Sequence, residues 1–145
     1  CEPLANKQSP ANAYEAQFSV PYLTALGFLR GRFGLNDLEP DALGDPAILA
    51  LAKKVDYEAD PSSGFPKYYS GELIVTLKDG NHVSHREHQN RGCADRPLTM
   101  DEIRTKFLEN AAITTPAARS EAMAASIEAI EDYEHAADLG EALAG

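Results

Sequence analysis

The chain has 145 residues, 43% of them apolar and 25% charged, which suits a single soluble domain able to bury a core of its own. Its 13 Lys and Arg stand against 23 Asp and Glu, a formal net charge of -10 that disfavours nucleic acid and anionic membrane surfaces as partners. The longest uncharged stretch, residues 16–29, is too short to cross a bilayer, and the first residues lack a signal-peptide pattern, so we expect a cytoplasmic protein with no membrane partner.

The two cysteines, Cys1 and Cys93, are far apart in the sequence and do not have the spacing of a paired motif. An unpaired, reduced state is expected for both in a domain of this size. Neither has the neighbours typical of a metal ligand or a nucleophile.

In the N-terminal half, Ser19 followed by Val20 and Pro21 has the pattern of a helix N-cap with a proline in the first turn. Arg30 and Gly31 supply a cation and a typical C-terminal stop. Together they predict a helix of about ten residues. The same residues lie in the uncharged stretch, which must be covered either by the rest of this chain or by a partner.

A second start signal is Asp45 followed by Pro46. Apolar residues at helical spacing come after it, and they predict an amphipathic helix through Ile48, Leu49, Ala52 and Val55. Residues 56–61 are predicted to leave this helix as a strand.

Residues 71–87 change to the period of two that is typical of a strand. One face carries Leu73, Val75 and Leu77, and the other carries Ile74 and Thr76. The turn sequence Asp79-Gly80 accepts the positive φ angle of a tight turn. We therefore predict an antiparallel hairpin near residues 72–88.

The C-terminal third begins with a capping box, Thr99 to Glu102, which predicts a helix over residues 100–111. Thr115 and Pro116 open another helix, predicted over residues 116–134, and a short fifth helix is expected around Leu139 and Leu143. This order of helices and strands predicts an α+β fold in which a small antiparallel sheet packs with helices.

Three segments, taken in order, resemble the C-terminal domain of the MmgE/PrpD family. They are P-x4-EAQFSVPY-x3-L at residues 10–26, LIVTLKDG at 73–80 and R-PLTMDEIRTKF at 96–107. The family comprises enzymes like 2-methylcitrate dehydratase, cis-aconitate decarboxylase and iminodisuccinate epimerase. The resemblance implies a lyase or isomerase that acts on a small polycarboxylate by acid-base chemistry, without metal or organic cofactor.

The family resemblance further implies a two-domain enzyme, with an active site between a large helical domain and a smaller α+β lid. We expect residues 1–112 to be part of the lid-type domain. Residues 113–145 are expected to be helices that pack on a helical domain missing from this chain, or on a second copy. The family's Lys- and His-bearing segments have no counterpart here, and Leu4 stands where a member has an active-site tyrosine. No catalytic residue is assigned. We expect a fragment or separated subunit of a longer enzyme, or else a degenerate relative, and we expect it to be inactive alone.

The alternative function is a non-catalytic binding or interaction module that uses a basic hairpin arm, residues 78–96. The arm is the part of the sequence best suited to an anionic ligand, because it contains Lys78, His82, His85, Arg86, His88, Arg91 and Arg96. On a strand His85 points away from His82 and His88, so we expect a solvated arm and no zinc site.

Two acid-base pairs can be drawn from residue types. Glu102 and Lys106 are four residues apart on a predicted helix and form an ordinary surface pair, and Glu15 with Lys106 rests on residue type alone.

Apolar residues recur at helical spacing near the C-terminus, and they predict a stripe that drives dimerisation: Met123, Ile127 and Ile130, widened by Ala117, Ala124, Leu139 and Leu143.

Overall fold

The computed structural model describes residues 3–144. They form two compact units, divided between Glu58 and Ala59. Helices and a two-stranded antiparallel sheet make an α+β fold, as predicted. Within the described residues, no helix is long and apolar enough to cross a membrane. The predicted boundary between residues 112 and 113 concerns what the C-terminal helices pack on, and it stays a prediction.

The first unit is helical. Its α-helices are α1 (Leu4–Gln8), α2 (Ala13–Gln17), α3 (Val20–Arg30), α4 (Pro40–Leu43) and α5 (Pro46–Ala52), with a 3-10 turn at Leu35–Leu38. The limits predicted for α3 are confirmed, because Ser19 Oγ accepts the N–H of Tyr22 at 3.0 Å and Gly31 ends the helix at a φ of 71°. Ser19 Oγ also donates to the carbonyl of Lys7, which ties α1 to the start of α3.

The core of this unit lies between α3 and α5. Tyr22 and Leu26 of α3 and Ile48 and Ala52 of α5 are fully buried and belong to one apolar cluster. Burying side chains of the size of Leu or Ile contributes about 1.5–3 kcal/mol each. The predicted stripe of α5 is confirmed at its centre, but the helix ends at Ala52 and does not reach Val55.

The strand predicted at residues 56–61 is wrong, because these residues are irregular. Their polar groups are satisfied locally instead: Asp60 Oδ1 accepts the N–H of Ser62 at 2.8 Å. Just before them, the carbonyl of Val55 accepts the side-chain amide of Gln8 at 2.9 Å. A strand needs a neighbour to pair with, and the sheet of the described chain consists of two other strands.

The second unit begins with the hairpin, β1 (Gly71–Thr76) and β2 (His82–Glu87). The prediction near residues 72–88 is confirmed. At the turn, Leu77 N–H donates to the Asn81 carbonyl at 2.8 Å and Gly80 has a φ of 86°. Val75 lies opposite Val83, and Ile74 lies opposite Ser84.

The remaining helices are α6 (Met100–Ala111), α7 (Ala117–Glu128) and α8 (Ala136–Ala144), with a 3-10 turn at Ile130–Asp132. The capping box of α6 is confirmed, since Thr99 and Glu102 bond each other's backbone N–H groups. The helix predicted over 116–134 ends earlier, at Glu128. Several acids crowd this end, where the helix dipole disfavours negative charge: Glu128, Glu131, Asp132 and Glu134.

Candidate functional site

The centre of the basic arm is Arg86, which is bound by carboxylates of its own unit. Its guanidinium lies 2.7 Å from Asp60 Oδ2 and 2.7 Å from Glu72 Oε2, and its side chain is 24% exposed. The hydrogen bond from Arg86, followed by that from the Ser62 N–H, holds the pKa of Asp60 below its ordinary value. Arg86 therefore fastens the loop before the sheet to both strands.

A second group of charges surrounds Glu87 at the end of β2. His85 Nε2 lies 3.1 Å from Glu87 Oε1, and Arg96 pairs with the other carboxylate oxygen and donates to the Gln89 carbonyl at 3.0 Å. The bonds from His85 and then Arg96 hold the pKa of Glu87 below its ordinary value. Arg91 pairs with Glu102 of α6. Since the three arginines of the arm already bind carboxylates, the arm offers an anionic ligand less charge than its sequence indicates.

The arm's histidines are distributed as the strand geometry predicts. His82 Nδ1 lies 3.1 Å from the hydroxyl of Thr76, whereas His85 contacts Glu87 on the other face of the hairpin. Across residues 3–144, no three His, Cys, Asp or Glu side chains converge as metal ligands would. The expectation of no metal or cofactor stays a prediction.

The acids considered for acid-base pairs are used for helix capping. Glu15 accepts the Ala11 N–H at 2.9 Å and the Asn12 side-chain amide at 3.0 Å, at the start of α2. Glu102 accepts the Thr99 N–H at 2.8 Å and pairs with Arg91 rather than with Lys106. Both carboxylates are engaged in these local contacts, and no catalytic residue is assigned.

One cluster of titratable groups was missed by the sequence interpretation. The Tyr68 hydroxyl donates to Asp95, and Lys67 Nζ lies 4.8 Å from the centre of the Tyr68 ring. Tyr68, followed by the charge of Asp95, raises the pKa of Lys67. Asp95 is 27 residues from Tyr68, so no local pattern could predict the contact. The bond from Tyr68 to Asp95 ties the loop before β1 to the loop before α6.

The second unit leaves large apolar side chains uncovered. The buried residues described in it are small, Ser120 and Ala124. Side chains that are at least 39% exposed cover its sheet and helices, among them Leu73, Ile74, Val83, Met100, Ile103, Ile127 and Ile130. Exposed apolar area of this extent is typical of an interaction surface.

The predicted C-terminal stripe is divided by the way α6 and α7 pack. Arg104 of α6 reaches across to Glu121 and to Glu128 Oε1, the latter at 3.0 Å, while Ala124 is buried. Ile127 and Ile130 remain 40% and 54% exposed. Ala124 is thus buried at this helix pair, Met123 is half-buried, and the ion pairs, Ile127 and Ile130 remain open to solvent.

Helix α3, which contains residues 20–29 of the uncharged stretch, is covered on one side. Tyr22 and Leu26 face the core, but Val20 and Phe28 are both 54% exposed. Residues 3–58 therefore bury one face of the helix and leave apolar side chains on another face open to solvent. The uncharged stretch is thus covered only in part by the first unit.

Comparison with protein families settles the relationship. The family model of the MmgE/PrpD C-terminal domain matches residues 2–132. The chain belongs to the MmgE/PrpD family. The predicted resemblance is confirmed, and the match extends through the hairpin and through α6 and α7.

The similar curated proteins are two cis-aconitate decarboxylases and a decarboxylase-like protein. Cis-aconitate decarboxylase of Mus musculus is 28% identical over 142 residues, and the human enzyme is 27% identical over 142 residues. A cis-aconitate decarboxylase-like protein of Aspergillus oryzae is 28% identical over 141 residues. Each match covers 97% of this chain but 28–29% of the relative, so the chain spans less than a third of these proteins.

Proposed function

We propose that this chain is the C-terminal part of an MmgE/PrpD lyase or isomerase acting on a small polycarboxylate, and that it is inactive alone. The observation that carries the proposal is the family match over residues 2–132. The curated relatives, all cis-aconitate decarboxylases or similar to them, favour decarboxylation over the dehydration or epimerisation that the family resemblance also allows. A cytoplasmic location goes with this proposal.

The exposed apolar surface supports a role as part of a larger enzyme. Ile127 and Ile130 on the C-terminal helices are open, and an apolar side chain of this size gains about 1.5–3 kcal/mol when it is fully buried. A helical domain, or a second copy of the chain in its place, is the partner we propose for this stripe. Residues 1–112 would then form part of the lid, and residues 113–145 the helices that return from it.

The electrostatics of the chain support the absence of independent activity. General acid-base catalysis needs a group that reaches the substrate with a pKa near the working pH. The hydrogen bond from Arg86 instead lowers the pKa of Asp60, and those from His85 and then Arg96 lower the pKa of Glu87, so both remain charged, engaged carboxylates at neutral pH. The proton-transferring groups are therefore expected in the rest of the enzyme.

A chimera tests the proposal. The region of the Mus musculus enzyme that matches this chain is replaced by residues 1–145, and release of CO2 from cis-aconitate is measured. We expect measurable turnover by the chimera and none by the chain alone with cis-aconitate, 2-methylcitrate or iminodisuccinate. The unaltered mouse enzyme is the positive control. Turnover by the isolated chain, or a folded chimera that binds no polycarboxylate, would count against the proposal.

A further inference from the structure

The apolar core of the described chain belongs to the first unit. Its large buried side chains, Tyr22, Leu26 and Ile48, lie on α3 and α5 and are fully removed from solvent. The cluster that they form takes all its members from residues 13–52. Burial of such side chains is the dominant favourable contribution to folding, so residues 3–58 contain a core of their own.

The second unit buries much less apolar surface. Among its described residues, the buried ones are Ser120 and Ala124, and both side chains have little apolar area to remove from water. The larger apolar side chains where α6 and α7 pack are half-buried, as at Phe107, Leu108 and Met123. The contacts that hold this unit together therefore remain close to solvent.

Local structure in the second unit does not make up the difference. A two-stranded hairpin is marginal by itself, and so is an isolated helix of 12 residues, the length of both α6 and α7. Ion pairs between exposed side chains contribute little to stability. Arg104, which joins α6 to α7, is 35% exposed, and Arg91, which pairs with α6, is 57% exposed.

We propose that the second unit of this chain opens by local unfolding while the first unit remains folded. The free energy of a local opening is set largely by the buried contacts that are lost, and the second unit loses few. In the open form α6 and α7 separate, and the side chains and amides at their contact become accessible to solvent. This opening is a property of residues 1–145 by themselves, and it does not depend on the function proposed above.

The opening makes the order of the second unit responsive to binding. A molecule that binds the folded second unit, and not its open form, shifts the equilibrium toward the folded form by mass action. The first unit, whose core is already buried, has no comparable equilibrium to shift. The alternative is one cooperative transition in which both units are lost together.

A matched pair of buried alanines tests the opening through thiol reactivity. Ala25 of α3 is 0% exposed and Ala124 of α7 is 4% exposed, and each is changed to cysteine in a background of Cys1→Ser and Cys93→Ser. A buried thiol reacts with dithiobis(nitrobenzoic acid) only after the structure around it opens, so the labelling rate reports the open population.

We expect Ala124→Cys to react at least about a hundredfold faster than Ala25→Cys, because each Leu or Ile side chain buried in the core lowers the open population by about tenfold or more. The fully unfolded variants, labelled in guanidinium chloride, give the intrinsic reactivity of each thiol. Equal labelling rates of the two folded variants would overturn the proposal, because they would show that both units open together.

Hydrogen exchange provides the same comparison in the unaltered chain. We expect the hydrogen-bonded amides of α6 and α7 to exchange at least about a hundredfold faster than those of α3 and α5. Ala124→Glu should then remove the protection of α6 and α7 and leave that of α3 and α5 unchanged. Uniform protection of all four helices in the unaltered chain, or an equal loss in all four on Ala124→Glu, would overturn the proposal.

Discussion

The hydroxyl of Tyr22 donates to the backbone carbonyl of Asp37 at 2.8 Å, and this bond joins α3 to the 3-10 turn inside the first unit. Tyr22 is fully buried. Burial raises its pKa, which keeps the hydroxyl protonated as a donor. Beside it, Arg30 pairs with Asp37 and, at 3.4 Å, with Asp45, so the same turn is held from two sides.

Removing this hydroxyl tests the role of the bond. Tyr22→Phe leaves the ring in the core and the Asp37 carbonyl without its donor. An unsatisfied buried acceptor costs about 1–3 kcal/mol, so we expect a loss of that size in the free energy of unfolding, measured by urea denaturation. Tyr14→Phe is the control, because Tyr14 is 72% exposed. Equal stability of the two variants would show that the Tyr22 bond contributes nothing.

Two carboxylates of the second unit predict that its stability decreases in acid. The pKa values of Asp60 and Glu87 are lower in the folded chain than their ordinary values of 3.8 and 4.5. Such groups contribute their full stabilisation when the pH is above their ordinary pKa. This contribution is lost as the pH falls through their lower pKa in the folded chain. We expect thermal stability to be level near neutral pH and to fall below about pH 4.5.

An amide in place of one carboxylate provides the comparison. Asp60→Asn cannot lose a charge on acidification and weakens the pairing with Arg86, so it should lower stability at neutral pH and flatten the acid-induced decline. Circular-dichroism melting curves at successive pH values measure both effects. A variant with the wild-type profile would mean that the Arg86 contact does not affect folding.

A glutamate introduced at a buried position of α7 is expected to affect stability, and one at an exposed position is expected to affect the turnover of the chimera. Ala124 is 4% exposed and packs inside the helix pair, whereas Ile127 is 40% exposed. Ala124→Glu should destabilise the isolated chain by several kcal/mol, because an unpaired charge would be buried. Ile127→Glu should leave its stability within about 0.5 kcal/mol but should reduce turnover of the chimera with the mouse enzyme. Undiminished turnover would place Ile127 outside the proposed contact with the helical domain.

Local signals predicted the elements that are stabilised locally. Ser19 and Thr99 cap α3 and α6 through bonds to residues three positions on, and Gly80 allows the turn between the strands. The helices α1, α2 and α4 have four or five residues each, too few for an apolar period to be recognised. Helices α1 and α2 pack against α3, and α4 packs against α2, α5 and the 3-10 turn at Leu35–Leu38, which a local pattern does not reveal.

The candidate site was predicted less completely than the fold. The sequence places the arm's arginines near each other but cannot indicate that Asp60, 26 residues from Arg86, neutralises one of them. The C-terminal stripe was predicted from Met123, Ile127 and Ile130, yet its division into a clamped side and an open side depends on Arg104 of another helix. Family motifs identified the larger relationship because they combine three separated segments.

The most direct test of whether these residues belong to a larger enzyme is to measure the mass and the activity of the native protein that carries them. The native protein is captured with an antibody against residues 1–145, its intact mass is measured, and the sample is assayed with cis-aconitate. We predict a polypeptide or stoichiometric complex that is larger by a helical domain and turns over a polycarboxylate, with no turnover by residues 1–145 alone. A native protein of this chain alone, without a further subunit, or full activity of the isolated chain, would contradict the proposed function.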